Sequence, residues 1–229
     1  MEFIVAVDGP AGSGKGTITK LVGERENLVY IDTGALYRCV TLAMLRKNIG
    51  LEDLEQIQEI LNTIDIEFKQ ENGEKKVYLN NENVSKEIRE AAVNKFVSQV
   101  SHIVIVRESI TDLSRKIAKG KKVIMEGRDI GTNVFPNADV KIYLDATPEE
   151  RARRRQKQNE EKGINIPFEE IVENIKFRDN NDKTSKVAPL KQAEDAIYID
   201  SSNMTIEEVA EKVIEIIKKE DRNDEKCIK

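Results

Sequence analysis

One histidine, His102, and two cysteines, Cys39 and Cys227, are all that 229 residues offer as imidazole or thiol ligands. A metal centre built from Cys and His needs them in clusters at short spacing, so that class is excluded. Two cysteines this far apart read as reduced cytosolic thiols rather than a disulfide framework. Long apolar runs are missing too: no stretch approaches membrane-spanning length. The chain opens directly on a strand-like run, without the basic-then-apolar layout of a signal peptide. A cytoplasmic location is expected. Nor is there an excess of positive charge. With 34% charged residues and a net charge of −5, bulk attraction to nucleic acid or to an anionic membrane is not expected, and any anion site must be local. Repeats and low-complexity blocks are absent, and the polar end DRNDEKCIK (221–229) reads as a frayed, disordered tail. The length suits one substantial α/β domain with insertions rather than two separate ones.

What is present begins with GPAGSGKGT, residues 9–17, directly after the apolar run FIVAV. A glycine-rich turn between a buried strand and a helix points several backbone N–H groups into one concavity at the positive end of the helix dipole. The spacing of Gly9, Gly14 and Lys15, with Pro10, Ala11, Gly12 and Ser13 between, fits the phosphate-cradling P-loop. A plain strand-to-helix turn would not need backbone approach on several sides. One detail departs from the general pattern: Gly16 stands where a Ser or Thr normally follows the lysine, and the hydroxyl arrives at Thr17.

Five apolar runs read as buried parallel strands: 3–7, 28–31, 122–125, 140–144 and 196–199. Each is followed by an acid, namely Asp8, Asp32, Glu126, Asp145 and Asp200. Ligands of doubly wound sheets sit beyond the carboxyl ends of the strands. The acids there could organise Mg²⁺ waters or arginines, with helix capping and solvation preferred for Asp145 and Asp200. Thr147-Pro148-Glu149-Glu150 and Thr205-Ile206-Glu207-Glu208 are helix starts. After the second, Ile206, Val209, Ala210, Val213 and Ile217 share one face expected to be core. The interval 33–121 is too long for a simple crossover. Within it, apolar residues alternate on both sides of Asn72-Gly73, which predicts a hairpin in a satellite lobe suited to holding an acceptor.

With GKGT as its loop ending, the chain resembles the nucleoside monophosphate kinases, and more narrowly the bacterial cytidylate kinase family. The resemblance runs in order through IDTGALYR (31–38), NVSKEIRE (83–90), VSQVS (97–101), VRES (106–109), EGRDIGTNVFPNADVKIYLDA (126–146), ERARRR (150–155), RDNNDKTSKVAPL (178–190) and IYIDSS (197–202). It implies a P-loop doubly wound parallel five-stranded sheet, with core 1–33 and 121–220, a monophosphate-binding insert at about 34–120 and a helical lid at about 148–164. It also implies transfer of the γ-phosphoryl group of ATP to CMP or dCMP with Mg²⁺ bound largely through water. No long apolar helix face is left over to suggest an obligate dimer, so a monomer is expected.

The physical chemistry agrees. A phosphate acceptor is already anionic at neutrality, so the work is to bring two anions together, which calls for lysine, Mg²⁺ and arginines. Lys15, Arg38, Arg107, Arg128, the cluster Arg151, Arg153, Arg154 and Arg155, and Arg178 are the candidate cations. By resemblance, Arg38, Arg107 and Arg128 grip CMP, with Arg128 on its phosphate. Asp129 and Ser98 read the cytosine edge, Thr33 lies beside the nucleotide and Asp182 faces the ribose. A nucleic-acid patch is the other reading of RARRR, but a helix spreads these residues over several faces and nearby glutamates cancel the field. In the lid reading Arg154 and Arg155 are the pair expected to point inward. Ser185 departs from the family, which carries an arginine there toward the acceptor's sugar; Lys183 or Lys186 could substitute as a point charge. His102 and Tyr37 are read as structural. The alternatives are another acceptor, such as UMP, AMP or a small alcohol, or a nucleotide-dependent assembly factor. The guanine-reading Asn-Lys-x-Asp run of GTPase switches is missing.

Overall fold

The computed structural model describes residues 2–71, 74–161, 163–185 and 187–227, with side chains through 221. The chain divides into two compact units, one formed by 1–31 and 118–229 and the other by 32–117.

The first unit carries the strands β1 (Phe3–Asp8), β6 (Lys122–Gly127), β7 (Val140–Asp145) and β8 (Ile197–Asp200), joined by β2 (Val29–Asp32) in the order β2-β6-β1-β7-β8. The sheet is five-stranded and parallel. Strand β1 lies at its centre, in register Val5↔Ile124 with β6 and Val7↔Ile142 with β7, and all six of its residues are buried. A central parallel strand is covered on both faces, which is why FIVAV shows no alternation. The edges differ from that expectation: β2 is mostly unburied, and on β8 Ile197 and Tyr198 are exposed while Ile199 is buried. An edge strand lacks a neighbour on one side, so its outer residues stay in water.

Around the sheet stand α1 (Lys15–Arg25), α6 (Pro148–Glu160), α7 (Phe168–Thr184) and α8 (Ile206–Cys227). Thr147 caps α6 by accepting from the Glu150 N–H at 3.2 Å, with Pro148 in its first turn. Thr205 and Glu208 cap α8 reciprocally, at 3.2 and 2.8 Å. Val209, Ala210, Val213, Ile216 and Ile217 of α8 join a core with Val5, Val7, Ile18, Val22, Ile142 and Leu144. Ile206 does not: it is exposed, because the first residue of the helix precedes the turn that meets the sheet. Helix α8 also runs through Cys227, past the point where a frayed tail was expected. No Gly or Pro interrupts residues 221–227, and Asp221 ties back to Lys122 at 3.2 Å. Among the described residues, no helix is long and apolar enough to cross a membrane.

The second unit contains α2 (Thr33–Arg46), α3 (Leu54–Thr63), α4 (Ala91–Val100), α5 (Val104–Ala118, whose last residue is assigned to the first unit) and an antiparallel sheet of β3 (Ile66–Glu71), β4 (Glu74–Leu79) and β5 (Glu82–Asn83). Strands β3 and β4 pair with Glu71 opposite Glu74. The Asn72-Gly73 turn itself lies outside the described residues. Leu36, Val40, Ile57, Ile66, Val77, Ile88, Val93 and Ile110 share the unit's core.

Candidate active site

The P-loop lies between β1 and α1, and its glycines answer to specific crowding. Gly9 has φ +151°, and a Cβ there would lie 2.0 Å from the Leu144 carbonyl oxygen, so no other residue fits. Gly16 follows from a different neighbour. A Cβ on it would lie 3.1 Å from Glu126 Oε1, and the Tyr30 hydroxyl donates to that same oxygen. The carboxylate at the end of β6 therefore takes the room a Ser or Thr would need, and the hydroxyl that follows in sequence, on Thr17, is exposed.

Lys15, in the first turn of α1, is buried and folded back on its own loop. Its Nζ donates to the Gly9 and Pro10 carbonyls at 2.8 and 2.7 Å and to Ser13 Oγ at 3.3 Å. Burial first, then the charge of Arg128, pushes its ammonium pKa down to about 7, against the pull of Glu126 and Asp8; Arg178 adds to the downward push. Arg128 and Arg178 are thus each near enough to repel Lys15, which is the electrostatic signature of a site prepared for anionic charge.

Asp8, the last residue of β1, fixes the turn that follows β6. Its two carboxylate oxygens accept the N–H groups of Ile130 and Gly131 at 2.8 and 2.7 Å. These residues open a short π-helical turn, Ile130–Val134. Burial raises the Asp8 pKa to about 6, outweighing the two N–H donors; Asp129 raises it further. Arg128 and Asp129 precede this anchored turn. Asp129 is buried and accepts from Asn133 Nδ2 at 3.0 Å, whereas Arg128 Nε donates to Asp182 Oδ2 of α7 at 3.1 Å. The family resemblance gives Arg128 a phosphate role and Asp182 a sugar role; the fold brings the two into one ion pair.

The arginines of α6 depart from the expected inward pair at Arg155, whose place Arg151 takes. Arg151 is the buried one, at 2% exposure, while Arg154 is half-buried and Arg155 and Arg153 are exposed. Arg154 donates to the Ser13 carbonyl at 3.2 Å and the Ser201 carbonyl at 2.7 Å. Residues 151, 154 and 155 share a side of the helix, but it is Arg151 and Arg154 that reach the loop carbonyls of Ala11 and Ser13, while Arg155 stays exposed. Arg178 is exposed on α7. Ser185, just after α7, spends its hydroxyl on the Val187 carbonyl at 2.7 Å and accepts the Val187 N–H at 3.2 Å. Lys183 lines a cavity of about 240 Å³ with Pro10, Asp145, Asp179, Tyr198 and Asp200; Lys186 lies outside the described residues. Asp145 accepts its neighbour's Ala146 N–H and Asp200 accepts from Ser202, local turn contacts rather than the helix capping expected of them, which falls to Thr147 and Thr205.

In the second unit, Asp32 caps α2 by accepting the Ala35 N–H at 3.0 Å, and Thr33 is buried in the first position of that helix. Arg38, one turn on, donates to Asn94 Oδ1 of α4 and to the Ile88 carbonyl at 3.3 Å. Asn94 in turn donates to the Arg89 carbonyl at 2.7 Å. Nothing in the spacing singled out Asn94, since its partner lies 56 residues away. Arg107 is buried, donates to the Ser101 carbonyl at 3.2 Å and lies over the Tyr37 ring, 5.6 Å from its centroid. Tyr37 therefore supports a candidate site residue. Ser98 is half-buried on α4, and its carbonyl accepts from Ser101 Oγ at 2.8 Å. His102 donates its backbone N–H to the Gln99 carbonyl at 3.1 Å.

Comparison with known proteins gives the geometry its lineage. A crystal structure of an uncharacterized protein from Eubacterium ventriosum superposes with a TM-score of 0.52 at 11% identity, covering 95% of this chain and 99% of the other, a likeness of fold alone. A cytidylate kinase of Fusobacterium nucleatum subsp. nucleatum is 50% identical over 208 residues, 91% of this chain and 94% of its own. One of Caldicellulosiruptor bescii is 47% identical over 220 residues, 96% and 97% of the two chains. The cytidylate kinase family model matches residues 5–219, and the chain belongs to that family of nucleoside monophosphate kinases.

Proposed function

We propose that the protein transfers the γ-phosphoryl group of ATP to CMP, and to dCMP, giving ADP and CDP or dCDP. The observation that carries this reading is Lys15 inside a glycine-built P-loop, its ammonium destabilised first by burial and then by Arg128 and Arg178, in a chain half identical to a cytidylate kinase over nearly its full length. A phosphate oxygen of the acceptor attacks the γ-phosphorus in line, the bond to the β–γ bridging oxygen breaks, and ADP leaves with that electron pair. No strong general base is needed, because the acceptor's second ionisation lies near pH 6. Residues 9–17 hold ATP, with Thr17 touching its phosphates. Lys15 leaves the Gly9 and Pro10 carbonyls for the β- and γ-oxygens and regains its full charge there.

The hard oxygen donors Glu126 and Thr17 would hold Mg²⁺ mainly through water, and the ion would supply positive charge to offset the donor phosphates. Arg38, Arg107 and Arg128 are the cations assigned to CMP, Asp129 and Ser98 to its base, Asp182 to its sugar, with Thr33 beside the nucleotide. Arg128 is already drawn toward Asp182, so sugar and phosphate recognition are linked through one ion pair. Arg178 and Arg154 complete the cationic set around the transferring group. The reading carries with it a cytoplasmic, monomeric enzyme of pyrimidine nucleotide metabolism.

A panel of CMP, dCMP, UMP, AMP and small alcohols in a coupled ADP-release assay tests it. CMP is expected to be the best acceptor. CMP as a poor substrate overturns the specificity, and ATP hydrolysis indifferent to every monophosphate favours an assembly ATPase.

A further inference from the structure

We infer that Arg151, paired with Asp179, is a positioning residue that aims the P-loop amides from behind. Arg151 sits in the first turn of α6 at 2% exposure. Its Nε donates to the Ala146 carbonyl at 2.9 Å, its Nη1 to the Ala11 carbonyl at 3.1 Å and to Asp179 Oδ1 at 2.9 Å, and its Nη2 to Asp179 Oδ2. One rigid fork therefore reaches the end of β7, the tip of the P-loop and α7. Its stem also supports the loop, since a Cβ at Gly12 would lie 3.4 Å from Arg151 Cβ.

The consequence follows from the planarity of the peptide group. In a trans peptide the carbonyl and the following N–H point in opposite directions. Drawing the Ala11 carbonyl toward Arg151 turns the Gly12 N–H away from it, into the concavity of the loop. Arg154 does the same one peptide pair later, because its hold on the Ser13 carbonyl directs the Gly14 N–H. The two inner arginines of α6 thus act on the phosphate site through the loop backbone. Asp179 adds a second connection: it is the immediate neighbour of Arg178, so the same ion pair fixes the helix that carries one of the candidate phosphate cations. A planar guanidinium with bidentate reach can satisfy these acceptors together, and an ammonium cannot.

The inference rests on the proposed phosphoryl transfer, and its test separates the two. The double variant Arg151→Met/Asp179→Leu replaces a buried ion pair with apolar groups of similar volume, a change that commonly preserves stability. It is expected to melt within about 5 °C of the parent while kcat with ATP and CMP falls roughly 10- to 100-fold, as misaimed catalytic groups cost, and KM for CMP moves less than about twofold. Arg151→Lys, which keeps charge but not the fork, is expected to be intermediate in kcat. Affinity of each variant for ADP alone, measured by calorimetry, needs no acceptor and is expected to drop about tenfold, one lost charge-assisted contact's worth. That readout holds even if CMP proves not to be the acceptor, a failure the unaltered protein reports by itself. Parental kcat and ADP affinity in the folded double variant would overturn the assignment. So would failure of both variants to fold, which would make the pair a structural tie only.

Discussion

The two units hold their candidate cations in different ways. In the sheet unit, Lys15, Arg151 and Arg154 are each held by two main-chain carbonyls, Gly9 and Pro10, Ala146 and Ala11, Ser13 and Ser201, with Asp179 added for Arg151, while Arg128 pairs with the Asp182 side chain. Main-chain acceptors cannot retreat without moving the strand or loop that carries them, so the fold itself places these charges. In the unit of 32–117, Arg38 leans on the side chain of Asn94 as well as the Ile88 carbonyl, and Arg107 on the Tyr37 ring as well as the Ser101 carbonyl. Side-chain partners can be exchanged. The first arrangement suits a phosphate site that must be ready in advance; the second suits cations that regrip a nucleotide.

The sharpest break of that contrast is Lys15→Ala, expected to lower kcat roughly 10²- to 10³-fold with the melting temperature within a few degrees, by steady-state assay and thermal denaturation. Normal turnover would remove Lys15 from the mechanism. Next comes Gly9→Ala, where the added methyl meets the Leu144 carbonyl; a stability loss of about 3–5 kcal/mol is expected from urea denaturation, and a neutral result would contradict the close approach. On the side-chain-held half, Asn94→Ala is expected to raise KM for CMP about three- to tenfold, the worth of one hydrogen bond, leaving kcat within about twofold. A kcat loss as large as that of Lys15→Ala would erase the distinction between the units.

The smallest effects are in pH. The Lys15 ammonium of the ligand-free protein is lowered to about 7, so above that pH it binds ATP only by taking up a proton. Calorimetry at pH 8 in buffers of different ionisation enthalpy should register that uptake, and Lys15→Ala should lose it. Asp8 has the opposite sign. Its folded pKa is raised from 3.8 to about 6, so between those values the folded protein keeps a proton the unfolded chain has lost. Its contribution to stability therefore falls as pH rises through that window and is constant above it. Asp8→Asn should flatten this slope in denaturation curves taken across it.

The P-loop, the strands and the hairpin lobe were legible because their signals are local: glycine spacing, unbroken apolar runs, alternation about a turn. The acids after the strands were legible as a pattern, but their tasks were not. Asp32 became a helix cap, Asp8 the anchor of the Ile130–Gly131 turn, and Glu126 the reason for Gly16. Each depends on a chain crossing that spacing does not encode. The arginine run misled for a related reason. Helical phase limits which arginines share a side, yet only the approach of Ala11 and Asp179 selects Arg151 over Arg155. Asn94, one polar residue among many on an exposed helix face, carried no signal before its contact with Arg38 was seen.

The most direct test of phosphoryl transfer follows the phosphate itself. With ATP labelled at the γ-position, excess protein and CMP in a single turnover, the label is predicted to appear in CDP at the rate ADP forms, and to stay in ATP when CMP is withheld. Label released as inorganic phosphate, at a rate indifferent to CMP, would contradict the account.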